Sequence, residues 1–300
     1  MKRFFVKIFI FVIVFVIIDQ LIGLCSSTLI AHAKGGDTGK NNIIVDSITA
    51  DVVLFGSSRC NHHYDPRIIQ DSLYMTCYNA GRDGNGILMM YPYYELLSQR
   101  YQPKVIIYDL NGFDYATDDH AKYIEWLRQF KGRPAIDSMI YDINPQERYK
   151  MMCCAYRING KGLQLISDAI HPIQQDIMGY KPLDGTISYT PEKETESDNS
   201  AKHIDVFKEK YIIRLINDCK RHGTKLFFVV SPTYGQKKYS PYYKALTNLC
   251  KQYNVPLFYH ENDKNFISNG QLFKDHAHLN HIGAEKFTRM IIKEVRPYLK

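Results

Sequence analysis

The sequence lacks two patterns that mark common functional classes. No run of lysine and arginine is dense enough for a nucleic-acid groove, although the net charge is +7. The seven cysteines, an odd number, have neither metal-ligand nor redox spacing. We therefore expect no nucleic-acid partner and interpret most cysteines as buried thiols, with disulfides as the alternative in an exported protein. The moderate positive charge is compatible with an anionic envelope surface or polymer.

A long hydrophobic run lies near the N-terminus, and basic residues precede it. Counted from Phe4 to Leu24, it has about the length that crosses a bilayer. We predict an uncleaved transmembrane signal anchor over residues 1–24, with its basic end cytoplasmic and the remainder exported. Cleavage near Ala31-His-Ala33 is the alternative. Asp19 should lie near the outer interface, where a carboxylate is tolerated.

The remainder of the chain has the composition of a folded protein, since 45% of its residues are hydrophobic. Residues 33–42 are polar and glycine-rich, and we predict a linker over residues 25–42 that leads to a domain over residues 43–300. Residues 112–200 interrupt the domain's pattern and are interpreted as an insertion, either a lid or a packed subdomain. Within it, the polar segment 186–200 is expected to form a loop.

Continuous apolar runs alternate with amphipathic helical patterns through this domain. Apolar runs without alternation indicate strands covered on both faces, and their spacing calls for a parallel sheet with helices on both sides. We predict about five strands, at residues 52–55, 75–79, 104–110, 225–231 and 256–259.

The first of these strands delivers serines to its carboxyl end, where active sites of parallel sheets lie. Gly56, Ser57 and Ser58 follow it directly. The alternative is that the serines only cap the next helix and have no catalytic role. Near the C-terminus, Asp275 and His278 stand three residues apart, so the carboxylate can orient the ring. A serine hydroxyl needs such a base, and the base needs an orienting group.

These motifs together resemble the SGNH (GDSL-like) hydrolase superfamily. Two further blocks match it, Asn79-Ala-Gly81 after the second strand and Asp109-Leu-Asn111 after the third. The resemblance implies a three-layer α/β/α, flavodoxin-like fold. It also implies a catalytic set of Ser58, His278 and Asp275, with an oxyanion hole made by the N–H groups of Ser58 and Gly81 and the side chain of Asn111. The pattern is most similar to a membrane-anchored branch that includes D-alanine transfer and alginate O-acetylation proteins.

Other polar residues near these motifs have competing interpretations. Arg59 either binds an anionic substrate or pairs with Asp83, Asp109 or Asp114. His62 and His63 either line the pocket or are solvated. A metal site is the rival chemistry for the histidine-rich segments, at positions 62, 63, 276, 278 and 281. We predict no metal and no cofactor.

The sequence thus predicts a membrane-anchored, extracytoplasmic serine esterase or acyltransferase that acts on acyl esters, O-acetyl above all, of an envelope glycan. The expected partners are that glycan or an acyl donor, the membrane, and a membrane-bound acyltransferase. The alternative is a non-catalytic glycan-binding or scaffold subunit. It is motivated by Ser57 and Asp109, which stand where the family has Asp and Gly.

Overall fold

The computed structural model describes residues 1–172, 177–189, 204–235 and 241–299. They form two compact units, Met1–Ser47 with Asp119–Gln174 and Ile48–Asp118 with Gln175–Lys300. The strands are β1 (Val52–Gly56), β2 (Cys77–Asn79), β3 (Val105–Asp109), β4 (Lys225–Val230) and β5 (Leu257–Tyr259). The α-helices are α1 (Lys2–His32), α2 (Gly36–Asn42), α3 (Ser58–His63), α4 (Pro66–Leu73), α5 (Ile87–Ser98), α6 (Gly112–Tyr115), α7 (Ala121–Leu127), α8 (Pro134–Ile143), α9 (Glu147–Lys150), α10 (Cys154–Arg157), α11 (Gly162–Ile170), α12 (Val206–His222), α13 (Pro241–Gln252) and α14 (His281–Val295).

The larger unit is built on a five-stranded sheet in the order β2-β1-β3-β4-β5. Every neighbouring pair is parallel, and Val52 aligns with Cys77 on one side and Val105 on the other. The predicted α/β class, with about five parallel strands, is confirmed. The strand order reverses at β1 and β3, so the crevice at their carboxyl ends is the place where such sheets bind ligands.

Helices cover both faces of this sheet, as the strands without alternation require. One face of β1 and β3, including Val52 and Ile107, packs in a buried cluster with residues of α14 such as Phe287 and Ile291. On the other side, α5 packs on β1 and α12 packs on β4 and α5. Burial of two large apolar faces is the main stabilising term for such a sheet.

Local sequence signals fix several helix ends at their predicted places. The Asp65 side chain accepts a hydrogen bond from the Arg67 N–H and caps α4, with Pro66 at the first helical position. Gly223 has φ of 72° and ends α12 in the left-handed conformation that favours glycine. These caps set the lengths of the helices that flank the sheet.

The smaller unit contains the N-terminal helix and most of the region predicted as an insertion. Helix α1 is long and apolar enough to cross a membrane, and it continues past Leu24 to His32. Residues 36–42, expected in a linker, form α2, because Thr38 hydrogen-bonds the buried Asp168 through its N–H and its hydroxyl. Local composition did not reveal that partner. The predicted polar loop lies outside the described residues from position 190 onward.

The cysteines match their expected setting, and Asp19 has hydrogen-bond partners within the smaller unit. All seven cysteines are described and are free thiols, and five of them are buried. The Asp19 carboxylate accepts the backbone N–H groups of Cys154 and Ala155, each at 2.9 Å. These charge-assisted bonds compensate the cost of a carboxylate within an apolar helix.

Candidate active site

The site lies at the carboxyl ends of β1 and β3. Ser57 and Ser58 follow β1, and Asn111 follows β3, so the reversal of strand order brings them to the same crevice. Ser57 is buried with 2% exposure, whereas Ser58 is only partly buried. The hydroxyl that an external ester can reach is therefore that of Ser58.

Three side chains form a continuous hydrogen-bonded chain in this crevice. Ser58 Oγ lies 2.8 Å from His278 Nε2, and His278 Nδ1 lies 3.0 Å from both carboxylate oxygens of Asp275. Since the carboxylate can only accept, Nδ1 carries the proton and Nε2 accepts from the serine. This is the geometry of a serine nucleophile, its general base and the group that orients the base.

Asp275 is held in the form that this arrangement needs. Burial raises the pKa of its carboxyl, but hydrogen bonds from the His278 ring and from backbone N–H groups outweigh that effect, and the net pKa is below its ordinary value. The N–H groups of Ala277 and His278 lie 2.8 and 2.9 Å from Oδ1. The carboxylate thus stays ionised and fixes the ring orientation.

Asn111 is placed beside the serines by a capping box at the start of α6. Its side-chain oxygen accepts from the Phe113 N–H at 2.9 Å, and the Asp114 carboxylate accepts from the Asn111 N–H at 2.8 Å. The Asn111 amide also donates to Ser57 Oγ. Burial raises the pKa of Asp114 to about 7, despite the hydrogen bond from Tyr108.

Gly81 lies in the loop that follows β2, and its N–H already has an acceptor. A Cβ atom at Gly81 would lie 2.6 Å from the backbone nitrogen of Asn61, so only glycine lets this loop approach α3 so closely. The Gly81 N–H donates to Asn79 Oδ1 at 3.0 Å. The proposed oxyanion donors at Gly81 and Asn111 are thus both hydrogen-bonded inside the protein.

The contacts of Arg59 favour the ion-pair interpretation over the substrate-binding one. Its guanidinium donates to the carbonyls of Ser231 and Leu110 at 3.1 and 2.8 Å, and Nε lies 3.9 Å from Asp109 Oδ1. The side chain is buried, and its two hydrogen bonds link the residues that follow β3 and β4. Burial lowers the pKa of Arg59, but Asp109 and other nearby acidic groups outweigh that effect. The net pKa is therefore above its ordinary value.

Asp109 is fully buried beside this arginine. Its Oδ2 accepts from the Tyr64 hydroxyl at 2.6 Å. Burial raises the pKa of the Asp109 carboxyl, and the Arg59 charge only partly opposes that effect. The unusual residue of this block is therefore accounted for by a buried ion pair.

His62 is buried and lies next to the His278 ring. Its ring meets that of His278 edge to face, with centroids 5.4 Å apart. Its Nδ1 lies 2.6 Å from the carbonyl of Lys181, and its Nε2 lies 3.4 Å from Asp83. Burial raises the pKa of Asp83, but hydrogen bonds from His62 and Asn61 lower it well below its usual range. His62 forms one wall of the crevice.

His63, which the sequence analysis named only as a metal or pocket candidate, has a supporting role that was not predicted. It is fully buried, its Nδ1 lies 3.0 Å from Ser231 Oγ, and its Nε2 accepts the N–H of Leu279 at 3.0 Å. Leu279 directly follows His278, so His63 anchors the segment that carries the proposed base. Burial lowers the pKa of His63 well below its usual value, and the charges of Arg59 and His278 lower it further. Its only sequence signal was proximity to Ser58.

The remaining histidines of the rival metal hypothesis have separate environments. His276 is exposed, and His281 lies 3.0 Å from Asp184 on the surface. Within the described ranges, no group of three or more His, Cys, Asp or Glu side chains is arranged to hold a metal ion. Within those ranges, the imidazoles at positions 276, 278 and 281 therefore do not form a shared metal site.

Comparisons with known proteins gave matches among solved structures only. An acetyl xylan esterase has 15% identity and a TM-score of 0.43, over 81% of this chain and 99% of that one. A putative lipolytic G-D-S-L family protein from Desulfitobacterium hafniense has 9% identity and a TM-score of 0.43, over 81% and 97%. A family two carbohydrate esterase from Clostridium thermocellum, in complex with cellohexaose, has 11% identity and a TM-score of 0.42, over 83% and 64%. The sequence matches no protein-family model and no curated protein. Likeness at this level does not assign the chain to a family.

Proposed function

We propose that the protein is a serine esterase or acyltransferase that acts on acyl esters, with O-acetyl esters of an envelope glycan as the substrate class. The observation that carries this proposal is the chain of contacts from Ser58 Oγ through the His278 ring to the Asp275 carboxylate. Its position at the reversal of strand order supports the same proposal, because open parallel sheets bind ligands at that place.

In the proposed reaction, Ser58 Oγ attacks the ester carbonyl while His278 Nε2 takes the hydroxyl proton. Collapse of the tetrahedral intermediate breaks the ester C–O bond, and His278 returns the proton to the leaving alkoxide. The acyl group then rests on Ser58. Water completes hydrolysis, or a second hydroxyl group completes transfer, by the same steps in reverse. Asp275 holds the ring throughout and stabilises the imidazolium.

The oxyanion that forms in this reaction needs hydrogen-bond donors aimed at it. We assign this role to the N–H of Ser58, at the first position of α3, to the N–H of Gly81 and to the side chain of Asn111. The Asn111 amide has two N–H groups, so one can stay on Ser57 while the other donates to the oxyanion. The Gly81 N–H must share its bond to Asn79 or release it.

A membrane location is the second part of the proposal. It rests on the length and apolarity of α1 and on the basic residues that precede its apolar core. Protease added to spheroplasts should digest residues 43–300, and full protection would contradict the extracytoplasmic placement. A membrane-bound acyltransferase is the proposed partner, in line with the resemblance to the membrane-anchored branch.

A non-catalytic glycan-binding or scaffold subunit is the second candidate. One observation favours it, namely that the proposed oxyanion donors at Gly81 and Asn111 both have acceptors within the protein. In that case the serine site would bind an acylated glycan without turning it over.

A fluorophosphonate probe separates the two candidates, because it reacts only with an activated serine. We expect labelling of the native protein, loss of labelling in Ser58→Ala, and slower labelling in Asp275→Asn, where the ring loses its ionised partner. Ser72→Ala, which changes a hydroxyl on α4, serves as the matched control. Absence of labelling in the native protein would support the scaffold.

A further inference from the structure

The smaller unit contains a cavity of about 310 Å³ beside the C-terminal half of α1. This volume is at the small end of the range for ligand sites, about 300–1,000 Å³. Its wall includes Gly23, Ser26 and Ile30 of α1, so the cavity begins where the apolar stretch of that helix ends. On a helix that crosses a bilayer, this is the level of the lipid headgroups.

We propose that this cavity binds the phosphate-bearing headgroup of an anionic membrane lipid. The inference rests on the membrane location proposed above and is independent of the serine chemistry. It assigns a lipid site to a part of the chain that carries none of the catalytic residues.

The charge of the cavity wall favours an anion. Its lining includes five cationic and three acidic side chains, namely Arg128, Lys131, Arg133, Arg157 and Lys161 against Asp37, Asp46 and Glu125. Within the described part of the chain, Arg157 forms no ion pair, whereas Arg128 lies 3.6 Å from Glu147. The Arg157 guanidinium donates to the sulfur of Cys154, a weak acceptor. One cation is thus held at the wall without a carboxylate to neutralise it.

Unused hydrogen-bond donors at the same wall point to a ligand as well. The buried nitrogens Arg128 Nε, Arg157 Nε and Gln129 Nε2 have no hydrogen-bond partner among the described residues. All three residues line the cavity. Leaving a buried donor without an acceptor destabilises the folded protein. A phosphate diester supplies acceptor oxygens together with the negative charge that the guanidinium groups favour.

An apolar stripe on α11 identifies a membrane lipid, rather than free phosphate, as the occupant. Leu163, Ile166 and Ile170 recur at helical spacing and are 86%, 45% and 66% exposed. Helix α11 packs against α1, and its residues Gln164 and Leu165 line the cavity. Such a stripe beside a membrane-spanning helix is suited to the headgroup boundary, where apolar side chains enter the acyl region. The acyl chains would lie on that stripe and on α1, with the headgroup in the cavity.

Native mass spectrometry of the full-length protein in detergent tests this proposal. Delipidated protein is titrated with phosphatidylglycerol, with diacylglycerol of the same acyl chains, and with inorganic phosphate. We expect one bound phosphatidylglycerol, with diacylglycerol and inorganic phosphate each at least tenfold weaker. Equal binding of diacylglycerol would overturn the headgroup assignment. Equal binding of inorganic phosphate would overturn the assignment to a lipid.

Substitutions locate the site and separate a specific donor from general charge. Arg157→Gln should weaken phosphatidylglycerol binding by about ten- to a hundredfold, since it removes a charged donor. Gln129→Met, which leaves the net charge unchanged, should weaken it by several fold and decides the matter if Arg157→Gln does not fold. Arg148→Gln is the matched control, because Arg148 is exposed in the same unit and does not line the cavity. Equal losses in Arg148→Gln and Arg157→Gln would refute the site.

The Ser58→Ala variant keeps this test separate from the catalytic proposal. It should bind phosphatidylglycerol as the native protein does, whether or not the native protein reacts with a fluorophosphonate. Loss of lipid binding in Ser58→Ala would contradict a site that is independent of the crevice.

Discussion

Replacing His63 by glutamine should make the free energy of unfolding less sensitive to acid. The native ring is fully buried, and its Nε2 must stay unprotonated to accept the Leu279 N–H at 3.0 Å. A glutamine side-chain oxygen can accept the same N–H and does not titrate near neutral pH. The variant thus keeps the acceptor and loses only the proton equilibrium.

The sign and size of the effect follow from linkage. Burial lowers the native pKa of His63 well below its ordinary value, whereas the unfolded chain titrates near 6.5. Below that pH the unfolded state binds a proton that the native state excludes, so stability falls as the pH falls. Between pH 8 and pH 5 the loss is about 2 kcal/mol, because the slope approaches about 1.4 kcal/mol per pH unit once the unfolded ring is protonated. Above pH 7 the native protein and the variant should respond to pH alike.

Urea unfolding of the full chain in detergent, followed by circular dichroism at pH 5 and pH 8, measures this difference. The other histidines titrate in both proteins, so the difference between the two pH responses isolates His63. Fluorescence of Trp126, the only tryptophan, reports the smaller unit and should be the same in both proteins. Parallel pH responses of the native protein and His63→Gln would refute the assignment of a neutral, buried ring.

Four further substitutions test the roles of residues around the serine. His278→Ala should abolish turnover of a model acetyl ester, while His276→Ala should cost less than about tenfold, or 1.4 kcal/mol of barrier; a larger loss in His276→Ala, or inactivation by chelators, would indicate a metal site. Ser57→Ala should keep measurable activity but lose about 1–3 kcal/mol of stability in urea unfolding, because the buried Asn111 amide loses its acceptor. A loss of activity in Ser57→Ala as large as that in a variant without the nucleophile would show that the attacking hydroxyl is misassigned. Arg59→Met should destabilise the larger unit by roughly 3–5 kcal/mol, because the Asp109 carboxylate is left buried without its partner. A folded variant with unchanged stability and weaker substrate binding would instead support the substrate-binding role of Arg59.

The local pattern of the sequence was enough to predict the sheet and to place serines at the carboxyl end of its first strand. Four consecutive β-formers before Gly56 can only be satisfied in a strand that is covered on both faces, and parallel strands bring their carboxyl ends to one edge. The three-residue spacing of Asp275 and His278 is also local, and the observed bond between their side chains needs no distant partner. These features depend on period and proximity along the chain.

Only the tertiary structure decided which polar residues are buried and with what. Arg59 meets the carbonyl of Ser231, which lies 172 residues further along the chain, and His63 meets the N–H of Leu279, 216 residues further. Helix α1 packs with residues of α10 and α11 that the sequence pattern assigned to an insertion. The amino-acid pattern around a residue does not encode such partners, because burial and hydrogen bonding depend on which distant segments the fold brings against it.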